Sequence, residues 1–472
     1  MPAEAPSRPD LARSRRVHVI GAGGSGMSAI ASVLAAMGHR VSGSDAVDSA
    51  ALAALAGQGV VVAVGSAPDL VGEAEVVVRS TAVPDDDPDV LTARAAGRTV
   101  WRRADVLGAL CRLGRTIAVS GTHGKTTTSS MLAVTLQELG WHPSMIIGGQ
   151  IAGVGPGARW DRAGEWFVVE ADESDGTFVE LGAEAVVVTS VEPDHLEFYG
   201  GLAGLEAAFE RFVGDAAGPV VVCADDPGAR RLAGMRAGGD VVTYGLSAGA
   251  DVVVSEVQLA RYRARFELRA APNAGGFEGP VELAVPGLHN VRNATAALTM
   301  AVALGADWAD AARAVGRYRG VARRFERRGE QAGVTFVDGY DHLPTEVAAA
   351  VATARSGGWS RVVVVFQPHR YSRTEALWRD FADAFVDADV VVITGIYAAG
   401  EEARPGITGR LIHDAVVAAH PDAEVHYAED LGAAVDLVVP MLRAGDVCLT
   451  LGAGSITTLP DLLMARRSGG RL

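Results

Sequence analysis

The stretch Arg115 to Ser130, RTIAVSGTHGKTTTSS, restricts the fold more than any other part of the chain. Thr116 to Val119 form an apolar run that reads as a buried parallel strand, and a helix is predicted to begin near Lys125. Between them, Gly121 and Gly124 let backbone N–H groups turn inward toward an anion. Lys125 adds a mobile positive charge, and the Thr126 hydroxyl stands where such loops hold Mg²⁺. The general pattern GxxxxGK[ST] would place glycine at Val119. The form here is the shorter GTHGKTTT, in which Thr122, His123 and Thr127 join the same candidate phosphate-binding set. A strand, a phosphate loop and a helix in that order call for an α/β architecture on an open, largely parallel sheet.

At 472 residues the chain is too long for one ordinary core, and a prior of about 150 residues per domain suggests three. A net charge of −15 argues against nucleic acid or an anionic membrane as partner, so any anion site must be built locally. No apolar run approaches the ~18 residues of a membrane span. The first sixteen residues carry Pro2, Pro6, Pro9, Arg13, Arg15 and Arg16 without an apolar core, which reads as a disordered tail with no export signal. Cys111, Cys223 and Cys448 are odd in number and far apart, which fits a reducing cytoplasm.

Upstream of the phosphate loop, the strand-like run Arg16 to Ile20 is followed by GAGGSGMSAIASVLAAMGH. Gly21, Gly23 and Gly26 satisfy GxGxxG, with Gly24 inside it, and a second strand ends in Asp45, about where a dinucleotide fold places a ribose-binding acid. Read alone, this pattern fits NAD, another pyrophosphate ligand such as UDP, or a ligand-free turn. Glu75 to Thr81 reads as a further strand, with Ser80 and Thr81 at its end, and Arg103 to Leu113 as a helix leading into the phosphate loop.

Beyond the loop, Trp166 to Glu170 and Ala185 to Thr189 are apolar runs that end in ADESD and SVEPDH. Ligands gather at strand ends in an open parallel sheet, so both clusters should face the crevice of the loop. Glu170, Asp172, Glu173, Asp175, Asp194 and His195 are therefore candidates for a divalent metal, and a phosphate-bound Mg²⁺ needs only one or two protein ligands. Residues 218 to 245 read as strand, helix, strand. Alternation from Asp251 to Val285 predicts antiparallel strands, and a helix follows from His289 to Leu304. In the last segment, runs at 334–337, 362–366, 390–394 and 447–451, with a weaker one near Val425, alternate with helices and imply another dinucleotide-like sheet. His369, Arg370 and Arg373 put cations at a strand end, where guanidinium groups can grip a carboxylate or pair across domains.

The loop GTHGKTTT, with HVIGAGGSGMS from His18 to Ser28, EADESD, EPDH, PGLHNVRN, GVARRF and FQPHRYSRT, resembles the Mur ligases, the ATP-dependent enzymes of bacterial cell-wall precursor synthesis, and most closely their alanine-adding branch. The resemblance implies UDP-N-acetylmuramate at the first glycine loop, with Ala22 where isoleucine is usual. It implies Mg²⁺ on Thr126, Glu170 and His195, and ATP phosphates on Lys125 and Arg324. It also implies adenine beside Asn290 and Asn293, although a helix start with asparagine caps explains Asn290 as well. L-alanine would lie on His369, Arg370 and Arg373.

The match departs from the family in one loop. A DDY[AG]HHPTE stretch reads DGYDHLPTE from Asp338 to Glu346, with Gly339, Asp341 and Leu343 at the altered positions. The departures leave open a different amino acid or nucleotide sugar, weakened ATP use, or a paralogue. Restoring Asp at 339 is expected to raise or preserve the ligase rate. The expectation is thus three α/β domains, 1–114, 115–320 and 321–472. Together they form a cytoplasmic ligase, monomer or homodimer, that joins a carboxylate to an amine through an acyl phosphate.

Overall fold

The computed structural model describes residues 9–235 and 241–469. Three sheets carry the chain. The first has the order Val61–Val64, Arg40–Asp45, Arg16–Ile20, Val76–Arg79, Val100–Arg102, and every pairing is parallel. The second is ten-stranded. At its centre Arg115–Ser120 lies between Ala185–Val188 and Trp166–Glu170, parallel to both. The third runs Glu326–Gln331, Val334–Gly339, Asp446–Leu451, Arg361–Phe366, Val390–Thr394, Val425–Ala428, and only its first pairing is antiparallel.

The composition of these strands follows from their position. Val186 to Val188, Val220 to Val222 and Val362 to Val365 are buried on both faces, as strands covered by helices on either side must be, so they read as continuous apolar runs. Each fully buried valine contributes roughly 1.5 to 3 kcal/mol relative to exposure. In the first sheet the buried run is interrupted by His18. Its ring bonds the Ser42 and Ser44 hydroxyls at 2.9 and 3.1 Å, and burial pushes its pKa down to about 4, against the pull of Asp89.

The chain divides into two compact units. One comprises Met1–Ser255, Glu267–Val281 and Arg292–Tyr318, and holds the first sheet and the phosphate-loop strands. The other comprises Glu256–Phe266, Glu282–Val291 and Arg319–Leu472, and holds the third sheet.

Several expectations are corrected. From residue 9 onward the N-terminal segment is packed: Leu11 is buried and the Ser14 hydroxyl donates to the Gly38 carbonyl at 2.7 Å. Pro2 and Pro6 lie outside the described residues. The strand expected over 75–81 ends at Arg79, because Ser80 turns, its hydroxyl accepting from the Ala82 N–H. The hairpin Ser144–Ile151 with Gly155–Arg159 and the edge strand Glu326–Gln331 were not foreseen. The first is glycine-rich and the second mostly charged, so neither carries an apolar alternation. The three cysteines are free and buried. Among the described residues no helix is long and apolar enough to cross a membrane.

Candidate active site

The phosphate loop begins where Arg115–Ser120 ends, and its shape depends on two glycines. Gly121 has φ +131° and Gly124 φ +79°, a region that residues with a Cβ rarely enter. A Cβ at 121 would overlap Thr189 Oγ1, and one at 124 would stand 2.6 Å from Asn293 Oδ1. The second strand end holds the loop in place. Thr122 N–H donates to the Ser190 carbonyl at 3.0 Å, Thr122 Oγ1 accepts from Glu192 N–H at 2.8 Å, and His123 N–H donates to Ser190 Oγ at 3.0 Å. His123 Nε2 meets Glu192 Oε2 at 3.2 Å.

Lys125 opens the helix Lys125–Glu138, with Thr127 buried just behind it. The ammonium turns back on its own loop, donating to the Gly121 carbonyl at 2.7 Å, the Thr122 carbonyl at 3.2 Å and Glu173 Oε1 at 2.9 Å. Burial works against the charge, but Glu173, with Asp172 and Glu170 behind it, more than restores it and holds the lysine above its ordinary pKa. Thr126 Oγ1 donates to Glu170 Oε1 at 2.7 Å, and Glu170 Oε2 accepts from Gly148 N–H at 2.6 Å. Thr126 and Glu170 thus place two hard oxygen donors side by side next to Lys125, the donor type that Mg²⁺ takes.

His195 is in the left-handed region, φ 52°, and its Nε2 lies 3.4 Å from Asp194 Oδ2. The predicted triad is therefore joined at Thr126 and Glu170, while His195 meets Asp194. Among the described residues no three His, Cys, Asp or Glu side chains form a metal cluster by themselves.

Asn293 touches the loop, as its contact with Gly124 requires. Asn290 does not share that role: its Nδ2 donates to the Pro286 carbonyl at 2.6 Å and fixes the turn before the helix Leu288–Ala303. The sequence reading missed Glu173 as counter-ion of Lys125, although it lies within the quoted ADESD run. It also missed Thr189 and Ser190, which follow directly on an apolar strand.

At the first glycine loop, Gly21 and Ala22 N–H donate to the Ser44 carbonyl, and Gly23 N–H donates to Asp45 Oδ2 at 2.8 Å. Asp45 thus closes the loop. Ser80 lies against Gly21, and Gly24 caps the helix Ser25–Met37. Gly26 faces Arg103, a cation not singled out from sequence, whose Nη1 reaches Asp175 Oδ2 at 3.5 Å.

In the other unit, the Arg324 guanidinium lies over the Tyr340 ring, 5.3 Å from its centroid. Its neighbour Arg323 is committed to structure, donating to Asp338 Oδ2 at 3.3 Å and to the Gly452 carbonyl at 2.7 Å. His369 Nδ1 meets Arg373 Nη1 at 3.0 Å, and the ring stacks on Tyr397. Burial, then Arg373, His342 and Arg370, push His369 down to about 4, so it is neutral near pH 7. Arg370 N–H donates to the Tyr397 carbonyl at 2.9 Å. For Asp at 339 to raise or preserve the ligase rate, the Asp341 carboxylate would have to give way. A Cβ at 339 would overlap Asp341 Oδ2, so the place of that side chain is already taken.

Three α/β sheets, the second with a phosphate loop after one of its central strands, define a nucleotide-dependent, multidomain enzyme class. The comparisons give the family: residues 16–115 match the Mur ligase family, catalytic domain, residues 119–301 the Mur ligase middle domain, and residues 323–454 the Mur ligase, glutamate ligase domain. The chain belongs to the Mur ligase family. The UDP-N-acetylmuramate–L-alanine ligase of Rubrobacter xylanophilus is 44% identical over 96% of this chain and all of its own length. That of Thermobifida fusca is 45% identical over 94% and 95%. The crystal structure of the UDP-N-acetylmuramate–alanine ligase of Thermotoga maritima superposes with a TM-score of 0.81 at 28% identity, covering 96% of this chain and 99% of that one.

Proposed function

We propose that this protein joins the lactyl carboxylate of UDP-N-acetylmuramate to the amine of L-alanine with consumption of ATP, in the cytoplasm. The observation that carries the reading is the pair Thr126 and Glu170 beside Lys125 at the ends of adjacent parallel strands. In that reaction the substrate carboxylate attacks the γ-phosphorus of ATP and ADP leaves. The amine nitrogen then attacks the acyl carbon of the acyl phosphate, the C–O bond to phosphate breaks, and the nitrogen loses a proton.

The residues of the loop act by position and charge. Lys125 would exchange Glu173 for phosphate oxygens. Thr126 and Glu170 would hold Mg²⁺, with His195 as the third ligand. The metal supplies charge neutralisation on the phosphoryl oxygens. Asn293 is assigned the nucleotide beside Gly124. Asn290 shapes the preceding turn, and Arg324 offers a further cation for the phosphates. Gly21, Gly23, Gly24 and Gly26, with Asp45 and Ser80, are assigned the UDP group, and His369, Arg370 and Arg373 the amino-acid carboxylate.

The altered loop from Gly339 to Leu343 favours one second reading, a ligase of the same chemistry for another amine. One assay separates the two: the protein with ATP, Mg²⁺, UDP-N-acetylmuramate and a panel of amino acids, following ADP and product mass. ADP release that depends on L-alanine and stops without Mg²⁺ is expected. Release with a different amine only supports the second reading, and no release with any amine rejects both.

A further inference from the structure

Gly339 ends the strand Val334–Gly339 and lies in register with Leu451 of the adjacent parallel strand. A Cβ on it would come within 2.8 Å of Leu451 Cδ2 and would overlap Asp341 Oδ2. The Asp341 carboxylate therefore folds back over its own strand end into the volume that any side chain at 339 would fill. The two positions form one arrangement, because any side chain at 339 would have to displace the carboxylate from where it lies.

Its surroundings are unusual for an acid. Burial and then Glu346 push Asp341 up to about 7 against the opposing pull of Arg324, with Asp338 adding to the rise. Among the described residues it makes no ion pair, whereas Asp338 pairs with Arg323 and Glu346 lies 3.4 Å from His342. A carboxyl confined in this way gains most from a cation brought to it. Next in sequence, the His342 ring packs against Tyr340 and His369 and feels Arg373 and Arg324 as well as Glu346. His342 thus has a carboxyl as its neighbour in sequence and the Arg373 guanidinium in its field. An α-amino acid carries a cation and an anion on one carbon, and this cluster offers a partner to each.

We propose that Asp341 receives the ammonium end of the incoming amino acid, in the room left by Gly339, while Arg370 and Arg373 take the carboxylate end. This inference rests on the proposed ligase activity and adds to it the group that recognises the amine. Asp341 binds best when ionised, so the KM for L-alanine falls as pH rises through about 7. Burial, Glu346, Arg324 and Asp338 set that midpoint.

The test is steady-state ADP release at saturating ATP and UDP-N-acetylmuramate with L-alanine varied. Asp341→Asn is expected to raise the L-alanine KM about 10- to 100-fold, the worth of a charged hydrogen bond, to leave the ATP KM within about twofold, and to abolish the pH dependence of the L-alanine KM. Gly339→Ala keeps the carboxylate but displaces it, and moves the same KM in the same direction. Gly339→Asp combined with Asp341→Gly returns a carboxylate to the shared volume and recovers most of what Asp341→Gly alone loses. Melting curves show which variants fold, and Gly339→Ala decides the matter should Asp341→Asn not fold. An unchanged L-alanine KM and pH profile in a folded Asp341→Asn or Gly339→Ala overturns the inference while leaving the ligase assignment standing. A wild-type protein that releases no ADP with any amino acid overturns the ligase assignment and this inference together.

Discussion

Two strand-end loops, each leading from a buried parallel strand into a helix, use glycine in opposite ways. In the loop after Arg115–Ser120, glycines bend the backbone so that its groups close around a cation. Lys125 already has two carbonyls and Glu173 as partners. In the loop after Val334–Gly339, glycine supplies empty space, and the Asp341 carboxylate occupies it without an ion-pair partner among the described residues. The first loop must therefore give up internal contacts to accept a ligand, whereas the second gains contacts it lacks. Charge balance in the resting protein, more than the presence of a motif, separates a site that exchanges partners from one that acquires them.

The largest effect should come from breaking the first loop. Lys125→Ala is expected to lower kcat roughly 100- to 1000-fold, the range seen when a charge-stabilising donor is removed. ADP release at saturating substrates measures it, and a loss under tenfold would place the phosphoryl charge elsewhere.

A smaller effect probes the backbone. Gly124→Ala puts a Cβ on a residue at φ +79° and 2.6 Å from Asn293 Oδ1, which should cost about 1 to 2 kcal/mol of stability. Urea denaturation measures this, and a neutral result would mean the left-handed turn is not required.

The smallest test sharpens the contrast. Asp341 has a folded-state pKa raised to about 7 from 3.8, so between those values the folded protein binds more protons than the unfolded one. The contribution to stability is full below about pH 4 and is lost as pH rises toward 7. Removing the acid should therefore make Asp341→Asn more stable than the wild type at pH 8, by about 1 kcal/mol after allowance for its partial exposure. Denaturation midpoints of the two proteins at pH 5 and pH 8 check this, and a gap that does not widen with pH contradicts it.

Much of this was legible in the residues. The runs Arg16–Ile20 and Trp166–Glu170 coincide with the strands observed, since consecutive β-branched residues leave few other choices for a doubly covered strand. Glu170 and Thr126 were both named before their hydroxyl–carboxylate contact was visible, because a strand end and a loop lysine each announce themselves locally. The hairpin at 144–159 was not legible, since its glycines carry no pattern. The separate fates of Asn290 and Asn293 were not legible either, because helical spacing gives a face but not what the face meets.

The order of residues alone determined the three sheets, the glycine turn before Lys125 and the chemistry of the groups around it. Those features rest on local rules of apolar runs, glycine placement and side-chain type, which act over a few positions. Folding in three dimensions decided the pairings: Glu173 with Lys125, Arg323 rather than Arg324 with Asp338, and Asp341 in the space of residue 339. Such choices depend on which distant atoms arrive at the same few cubic ångströms, and on how far water is excluded when they do.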